Sequence, residues 1–326
     1  MARQQFGWVQ DNKGVEEVLL DKGVGGCRLW TGEDDKELGA NESHGDLTIV
    51  LLDMVLALLP HWRRNAQGIG DCVSWGWELA VLIAICADII QRREPWKFPG
   101  EVATEPIYGG SRVEARGRRS GGWIDGSYGA TAAKWVLKWG ILHRINYALR
   151  TGDGEHDLSR YSSKKAKNWG NYGCGGSGHD GKILDDVAAE RPVKEAPQVT
   201  SFEQLVACVK SGYPVAVCSG QGLSKRGSDG FARAWGRWAH CMAFTGITLG
   251  KKDGALCTNS WGNSWGTKAP LPGVTSDAIK KCSAWVDAKT VNSMLRLGDS
   301  FAVTGVEGLV RRKIDWEEIW HVGGRH

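Results

Sequence analysis

Three residues far apart in the chain carry side chains that can act together on an amide bond. Cys72 offers a thiol, His240 an imidazole and Asn259 a side-chain amide. A thiol nucleophile needs a base to manage its proton and N–H donors to hold the developing oxyanion. Cys72 ends the stretch "AQGIGDC" and opens an apolar run, so it falls where a glycine-bearing turn becomes a helix. Unpaired N–H groups at a helix start favour a thiolate. Gln67, upstream in the same turn, carries an amide able to bend back and donate beside the Cys72 N–H. Taken alone, this stretch is also what a packed thiol looks like, because cysteine is among the most often buried residues.

The second half of the chain changes the balance. "WAHCMAFTGI" places His240 at the start of an apolar strand, and "CTNSWGNSWG" places Asn259 at the end of the next. Adjacent strands can bring the two together. The Asn259 amide oxygen can then accept from one ring N–H of His240, fix its tautomer and leave the other nitrogen for the thiol. Trp261 can roof that hydrogen bond and keep water off it.

The elements that must position these groups can be read from pattern. Residues 1–45 are polar and glycine-punctuated, and irregular structure is expected there. A helix is expected over Leu47–Leu58, ending before Pro60, and a second from Cys72, with Val73, Trp77, Ala80, Val81 and Ala84 at helical spacing. A third follows Gly129 and stops at Gly140. Residues 150–182 are rich in Gly, Lys, Ser and Asn and read as a surface insertion. "SFEQLVACVKSG" reads as a helix capped by Ser201 with Gln204 three residues on. "YPVAVCSG", "HCMAFTGITL" and "GALCTNSW" read as strands, and "SAWVDAKTVNSML" as helical. Helices first and strands later make an α+β chain with segregated lobes.

Composition excludes several classes. The 326 residues carry a net charge of +4 with acids nearly balancing bases, so no nucleic-acid partner is expected. The apolar runs 47–59 and 73–90 are, respectively, too short and interrupted by Glu78 and Asp88, so no membrane span is expected. Nine cysteines without a C-x-x-C argue against a disulfide framework, and Cys174 with His179 lacks a second pair, so no metal is expected. The N-terminus lacks the apolar core of a secretory signal, and a cytoplasmic or other reducing site is expected. The seventeen tryptophans, Trp8, Trp30, Trp62, Trp96 and Trp169 among them, read as packing residues more readily than as a binding surface.

Gln67, "GDCVSW", "AHCMAFTGI" and "NSWGNSWG" together resemble, in order, the four signatures of the papain-like cysteine peptidases. The doubled Ser-Trp-Gly after Asn259, ending in Trp265-Gly266, is the most specific piece. The Cys72-to-His240 separation exceeds the family's usual span of about 130–150 residues, and the 150–182 insertion accounts for the excess. "SGGWIDGSYGATAAKWVLKWGIL" is similar to the family's Gly-Gly segment and following helix, which assigns Gly121 and Gly122 to pairing with the substrate backbone.

The resemblance implies a papain-like two-lobe fold, with a helical lobe, a β-barrel-like lobe and the active site in the cleft between them. The corresponding boundaries are an N-terminal extension (1–45), a helical lobe (46–182), a barrel-like lobe (183–270) and a C-terminal extension packing on both (271–326). It implies a thiol-dependent endopeptidase or amide hydrolase acting on peptide or protein, without cofactor. Cys72 attacks, His240 is base and then acid, Asn259 orients His240, and Gln67 builds the oxyanion hole. The family's long helical propeptide has no room in residues 1–45, so no zymogen of that type is expected.

The sequence departs from the family at several points. Gln67 stands five residues before Cys72 where six is usual, and Val73 replaces a tryptophan. Asp71 replaces a small residue; it either caps the helix or raises the thiol's pKa by like-charge repulsion. These departures keep two alternatives open: an inactive papain-like fold serving as a structural or binding module, and a cell-wall amidase or transamidase of the Cys-His type.

Overall fold

The computed structural model describes residues 6–21, 26–40, 45–92, 100–117, 125–148, 155–177, 181–188, 193–266 and 269–306, with 308, 311, 312 and 314. Its centre is the helix Cys72–Arg92. This helix is long and apolar enough to cross a membrane, yet 89% of its apolar window is buried inside the protein. Small and branched residues on every face (Val73, Ala80, Val81, Ile83, Ala84) let neighbouring elements pack all round it. The acids within it are paired. Glu78 meets Arg64 at 2.6 Å and Asp88 meets Arg312 at 2.6 Å. Thr104–Arg112 and Gly129–Lys138 pack beside it, the latter ending before Gly140 in a positive-φ conformation.

The strands form a seven-stranded sheet. The long strand Ala234–Leu249 pairs antiparallel with Val215–Leu223 on one side and Gly254–Thr258 on the other. Ser283–Asp287 and Ser300–Ala302 extend this sheet, so residues beyond 270 are part of it. The sheet is an open path rather than a closed barrel. Its outer members are Phe231–Ala232 and Ser300–Ala302, and no pairing joins them among the described residues. The expected barrel-like lobe is therefore an open sheet.

Several local expectations change. Leu47–Val50 is a strand, with the helix starting only at Leu52. Its β-branched Thr48, Ile49 and Val50 pair with Gly246–Thr248. The N-terminal region holds the helices Asn12–Leu20 and Gly32–Leu38, started by Asp11 and by a Thr31/Asp34 capping box. "SAWVDAKTVNSML" divides into the strand Ser283–Asp287 and the helix Ala288–Leu295, with Asp287 capping the latter. The described part of 150–182 is packed rather than peripheral. Its helix Ser163–Tyr172 buries Ala166, Trp169 and Gly170, and Arg112 Nε donates to the Gly170 carbonyl at 2.7 Å. The Ser201/Gln204 capping box forms as the sequence indicated.

Candidate functional site

Cys72 is the first residue of its helix and is fully buried. Its Sγ accepts from the backbone N–H of Cys241 at 3.4 Å, which sets the thiol against the residue following His240. His240 sits within the long strand, opposite Ser219, and Asn259 lies just past the end of Gly254–Thr258. The Ala243-to-Thr258 register brings His240 and Asn259 to one end of this strand pair.

The polarity of the His240–Asn259 contact follows from its neighbours. Asn259 Oδ1 accepts from the Ser260 N–H at 2.6 Å, which identifies that atom as the oxygen. His240 Nε2 lies 2.8 Å from the same oxygen and must therefore carry the proton. Nδ1 of the neutral ring is then an acceptor, buried without a hydrogen-bond partner among the described residues. Trp261 stacks on the ring at 4.6 Å between centroids and an interplanar angle of 27°. Trp265, past the short 3-10 turn Gly262–Ser264, is half-buried against the core.

Gln67 is engaged within its own turn and with the strand end that follows Asn259. Its Nε2 donates to the Ile69 carbonyl at 2.9 Å, and its Oε1 accepts from Ser260 Oγ at 2.6 Å. Its backbone N–H donates to the Ser260 carbonyl at 2.9 Å. The side chain thus ties the tight turn to the Asn-Ser-Trp strand. Gly121 and Gly122 lie outside the described residues.

Asp71 turns to Tyr161, whose hydroxyl donates to Asp71 Oδ2 at 2.9 Å while accepting from the Gly68 N–H at 3.0 Å. Burial without a cation pushes its pKa up to about 8, so its carboxyl is neutral over most of the physiological range. Like-charge pressure on Cys72 is correspondingly small, and desolvation is the main cause raising the thiol. An acid with a raised folded pKa holds a proton that the unfolded chain has released. Its contribution therefore lowers stability as pH rises from the ordinary carboxyl range toward 8. Asp71→Asn is expected to flatten the loss of stability between pH 5 and pH 8, read from urea midpoints. A pH dependence identical to that of the parent chain would refute the assignment.

The chain's own N-terminal segment packs against this cluster. Gly7 N–H and Trp8 N–H both donate to the carbonyl of Ala239, the residue before His240, at 3.1 and 3.0 Å. On the other side, Ser127 N–H donates to the Gly7 carbonyl at 2.7 Å and Val9 N–H to the Ser127 carbonyl at 2.9 Å. The Phe6 ring stands edge-on to His240 at 6.2 Å and to Trp261 at 5.8 Å. Gly7 is glycine for want of space. A Cβ there would lie 1.8 Å from the Gly70 carbonyl oxygen. The Gly7 and Cys241 amides both favour the thiolate, yet burial outweighs them. Burial likewise pushes His240 down to about 4. Burial thus disfavours both the thiolate and the imidazolium.

Sequence reading took Trp8 as a packing residue, which its burial bears out, and missed Gly7, Ser127 and Asp299, which build this contact with it. The signal available was "FGWV", an apolar triplet around a glycine in an otherwise polar terminus. The loop carrying Ser127 is pinned by Tyr108, whose hydroxyl donates to Asp125 at 2.6 Å and accepts from the Gly126 N–H at 3.2 Å.

No protein-family profile matches the chain, and no curated protein matches it by sequence. Solved structures do. Xylellain, a cysteine protease from Xylella fastidiosa, aligns over 93% of this chain and 98% of its own, with 12% identity and a TM-score of 0.56. Procathepsin L 3 from the larval midgut of Tenebrio molitor covers 93% of this chain and 83% of its own, at 14% identity and a TM-score of 0.47. At these identities the likeness establishes the fold, which is that of the papain-like cysteine proteases.

Proposed function

We propose that this papain-like chain is a thiol-dependent peptidase or amide hydrolase whose site is held closed by residues 6–9. One observation carries the reading. A helix-start cysteine lies against the residue after a histidine whose Nε2–H is fixed by an asparagine, leaving Nδ1 as an acceptor. With the segment withdrawn, water and substrate reach the cleft and the burial that disfavours both charged forms is relieved. Cys72 Sγ attacks the substrate carbonyl carbon as its proton passes to His240 Nδ1. The tetrahedral intermediate collapses when His240 returns that proton to the leaving nitrogen, giving a thioester. Water, deprotonated by His240, then hydrolyses the thioester and restores the thiol. Asn259 holds the imidazole through both steps. The Cys72 N–H at the helix start is one oxyanion donor, and the second N–H of the Gln67 amide, whose first is on the Ile69 carbonyl, is the other candidate.

The test is alkylation by a peptidyl electrophile at near-neutral pH on the Gly7→Val chain, with Cys72→Ala and His240→Ala as controls. Modification is expected at Cys72 alone, lost in the first control and slowed by about 10²-fold or more in the second. Labelling spread over all nine thiols, or unchanged in either control, would overturn the reading.

The raised thiol, the lowered imidazole and the engaged Gln67 amide favour a second reading, an inactive fold used as a binding module. It requires Cys72 to keep an ordinary or raised thiol pKa after the segment is displaced. An iodoacetamide rate profile with an inflection well below the ordinary thiol range would exclude it.

A further inference from the structure

Tyr161 belongs to the stretch that reads in sequence as a surface insertion, just before the helix Ser163–Tyr172. Its hydroxyl nevertheless lies in the turn that carries the nucleophile. The Oη accepts from the Gly68 N–H at 3.0 Å and donates to Asp71 Oδ2 at 2.9 Å. Gly68 directly follows Gln67, and Asp71 directly precedes Cys72. One hydroxyl thus ties the two ends of the turn together. The Asp71 end is also the helix start, since its carbonyl accepts from Ser74 Oγ at 2.7 Å and from the Trp75 N–H at 3.4 Å.

Tyr161 is itself held in place. Its ring stands edge-on to Trp75 at 4.9 Å between centroids. The next residue, Ser162, donates its N–H to Glu105 Oε1 at 2.9 Å, and Arg144 meets Glu105 Oε2 at 2.7 Å in the buried interior. The turn packs close to this segment, as a Cβ at Gly68 would lie 2.8 Å from Ser163 Cβ. Ser260 holds Gln67 and Asp125 Oδ2 accepts from the Gly70 N–H at 3.0 Å, but it is Tyr161 that joins residue 68 to residue 71. The shape of this turn sets the spacing between the Gln67 amide and the Cys72 N–H, the two candidate oxyanion donors. Stabilisation of an oxyanion falls steeply when its donors are misplaced by about 1 Å.

We propose that Tyr161 is a positioning residue for acyl transfer, holding the Gln67 amide and the Cys72 N–H at the spacing an oxyanion needs. It touches no reacting atom, and the proposal rests on the peptidase reading. The loss on removing its hydroxyl falls on steps in which a carbonyl oxygen becomes an oxyanion. Alkylation by iodoacetamide has no such step: the sulfur–carbon bond forms as iodide leaves, and no oxyanion develops.

The test compares Tyr161→Phe, Asp71→Ala and the double variant in the full-length Gly7→Val chain, in mildly acidic buffer where the Asp71 carboxyl is neutral. The probes are the p-nitrophenyl ester of benzyloxycarbonylglycine, followed by single-turnover release of p-nitrophenol, and iodoacetamide, followed as modification of Cys72. Tyr161→Phe is expected to slow acylation by about tenfold or more while the alkylation rate stays within about twofold of the parent. Asp71→Ala is expected to do the same, and the double variant to fall no more than about twofold below either, because the two side chains act as one brace. An unchanged acylation rate in Tyr161→Phe, equal losses of acylation and alkylation in the single variants, or additive losses in the double variant would each overturn the proposal. Failure of the peptidase reading shows differently. The Gly7→Val parent would then release no more p-nitrophenol than its Cys72→Ala control, and the proposal would fall with that reading.

Discussion

Gly7→Val is expected to raise the alkylation rate of Cys72 in the full-length chain by roughly a hundredfold. Cys72 is fully buried with the Gly7 amide against its thiol, so withdrawal of residues 6–9 is the expected route by which a reagent reaches it. Five hydrogen bonds resist that opening: those of Gly7 and Trp8 to Ala239, the two between the segment and Ser127, and the indole on Asp299. A valine side chain cannot coexist with the Gly70 carbonyl, because even its Cβ would lie 1.8 Å from that oxygen. Losing several bonds at about 1 kcal/mol each moves the opening equilibrium by about two powers of ten or more. Rehydration also acts on chemistry, since burial is the largest cause holding Cys72 up and His240 down. The pH–rate profile of the variant should therefore shift to lower pH as well as rise. Mass spectrometry after brief iodoacetamide exposure measures the change site by site. A Cys72 rate unchanged in Gly7→Val would mean that the segment does not govern access.

Glu78→Ala is expected to cost about 3–5 kcal/mol of stability, because it strands a buried cation. Arg64 and Glu78 meet at 2.6 Å, each side chain only 3% exposed. Arg64 Nη2 donates to the Trp75 carbonyl at 2.7 Å, and Nε reaches the Asn259 carbonyl at 3.4 Å. The guanidinium therefore joins the first turns of the Cys72 helix to the segment that presents Asn259. Burial tends to neutralise Glu78, and Arg64 opposes that. Removing the carboxylate leaves the guanidinium with neutral acceptors alone in a dry site. Urea unfolding of the two chains measures the difference, and a loss below about 1 kcal/mol would place the pair with ordinary surface bridges.

Parts of the site were legible because their signals are local. A glycine turn before an apolar helix announces Cys72 at a helix start, and Ser201 with Gln204 announces a cap that forms as read. His240 and Asn259 were legible from strand patterning and the repeated Ser-Trp-Gly, since antiparallel neighbours bring strand ends together. Elements whose identity depends on distant partners were misread. Leu47–Val50 carries an apolar pattern that serves helix or strand, and only pairing with Gly246–Leu249 decides it. The open sheet was hidden for the same reason, as its edges are two- and three-residue strands with no periodicity of their own.

The sequence by itself indicated Cys72, His240 and Asn259 as candidates, in order, and the kind of element that carries each, because helix starts, caps and strand alternation are properties of neighbouring residues. The state of that set was decided by tertiary structure alone. Whether Asp71 is charged depends on the burial that neutralises it against Tyr161, ninety residues away. What the Gln67 amide oxygen binds is set by Ser260, on a distant segment. What lies over Cys72 and His240 includes Phe6, Gly7 and Trp8, brought there by backbone contacts with Ala239 and Ser127, by the Phe6 ring against His240 and Trp261, and by an indole bond to Asp299. Burial and charge are sums over everything packed around a group, and no local stretch of sequence contains that sum.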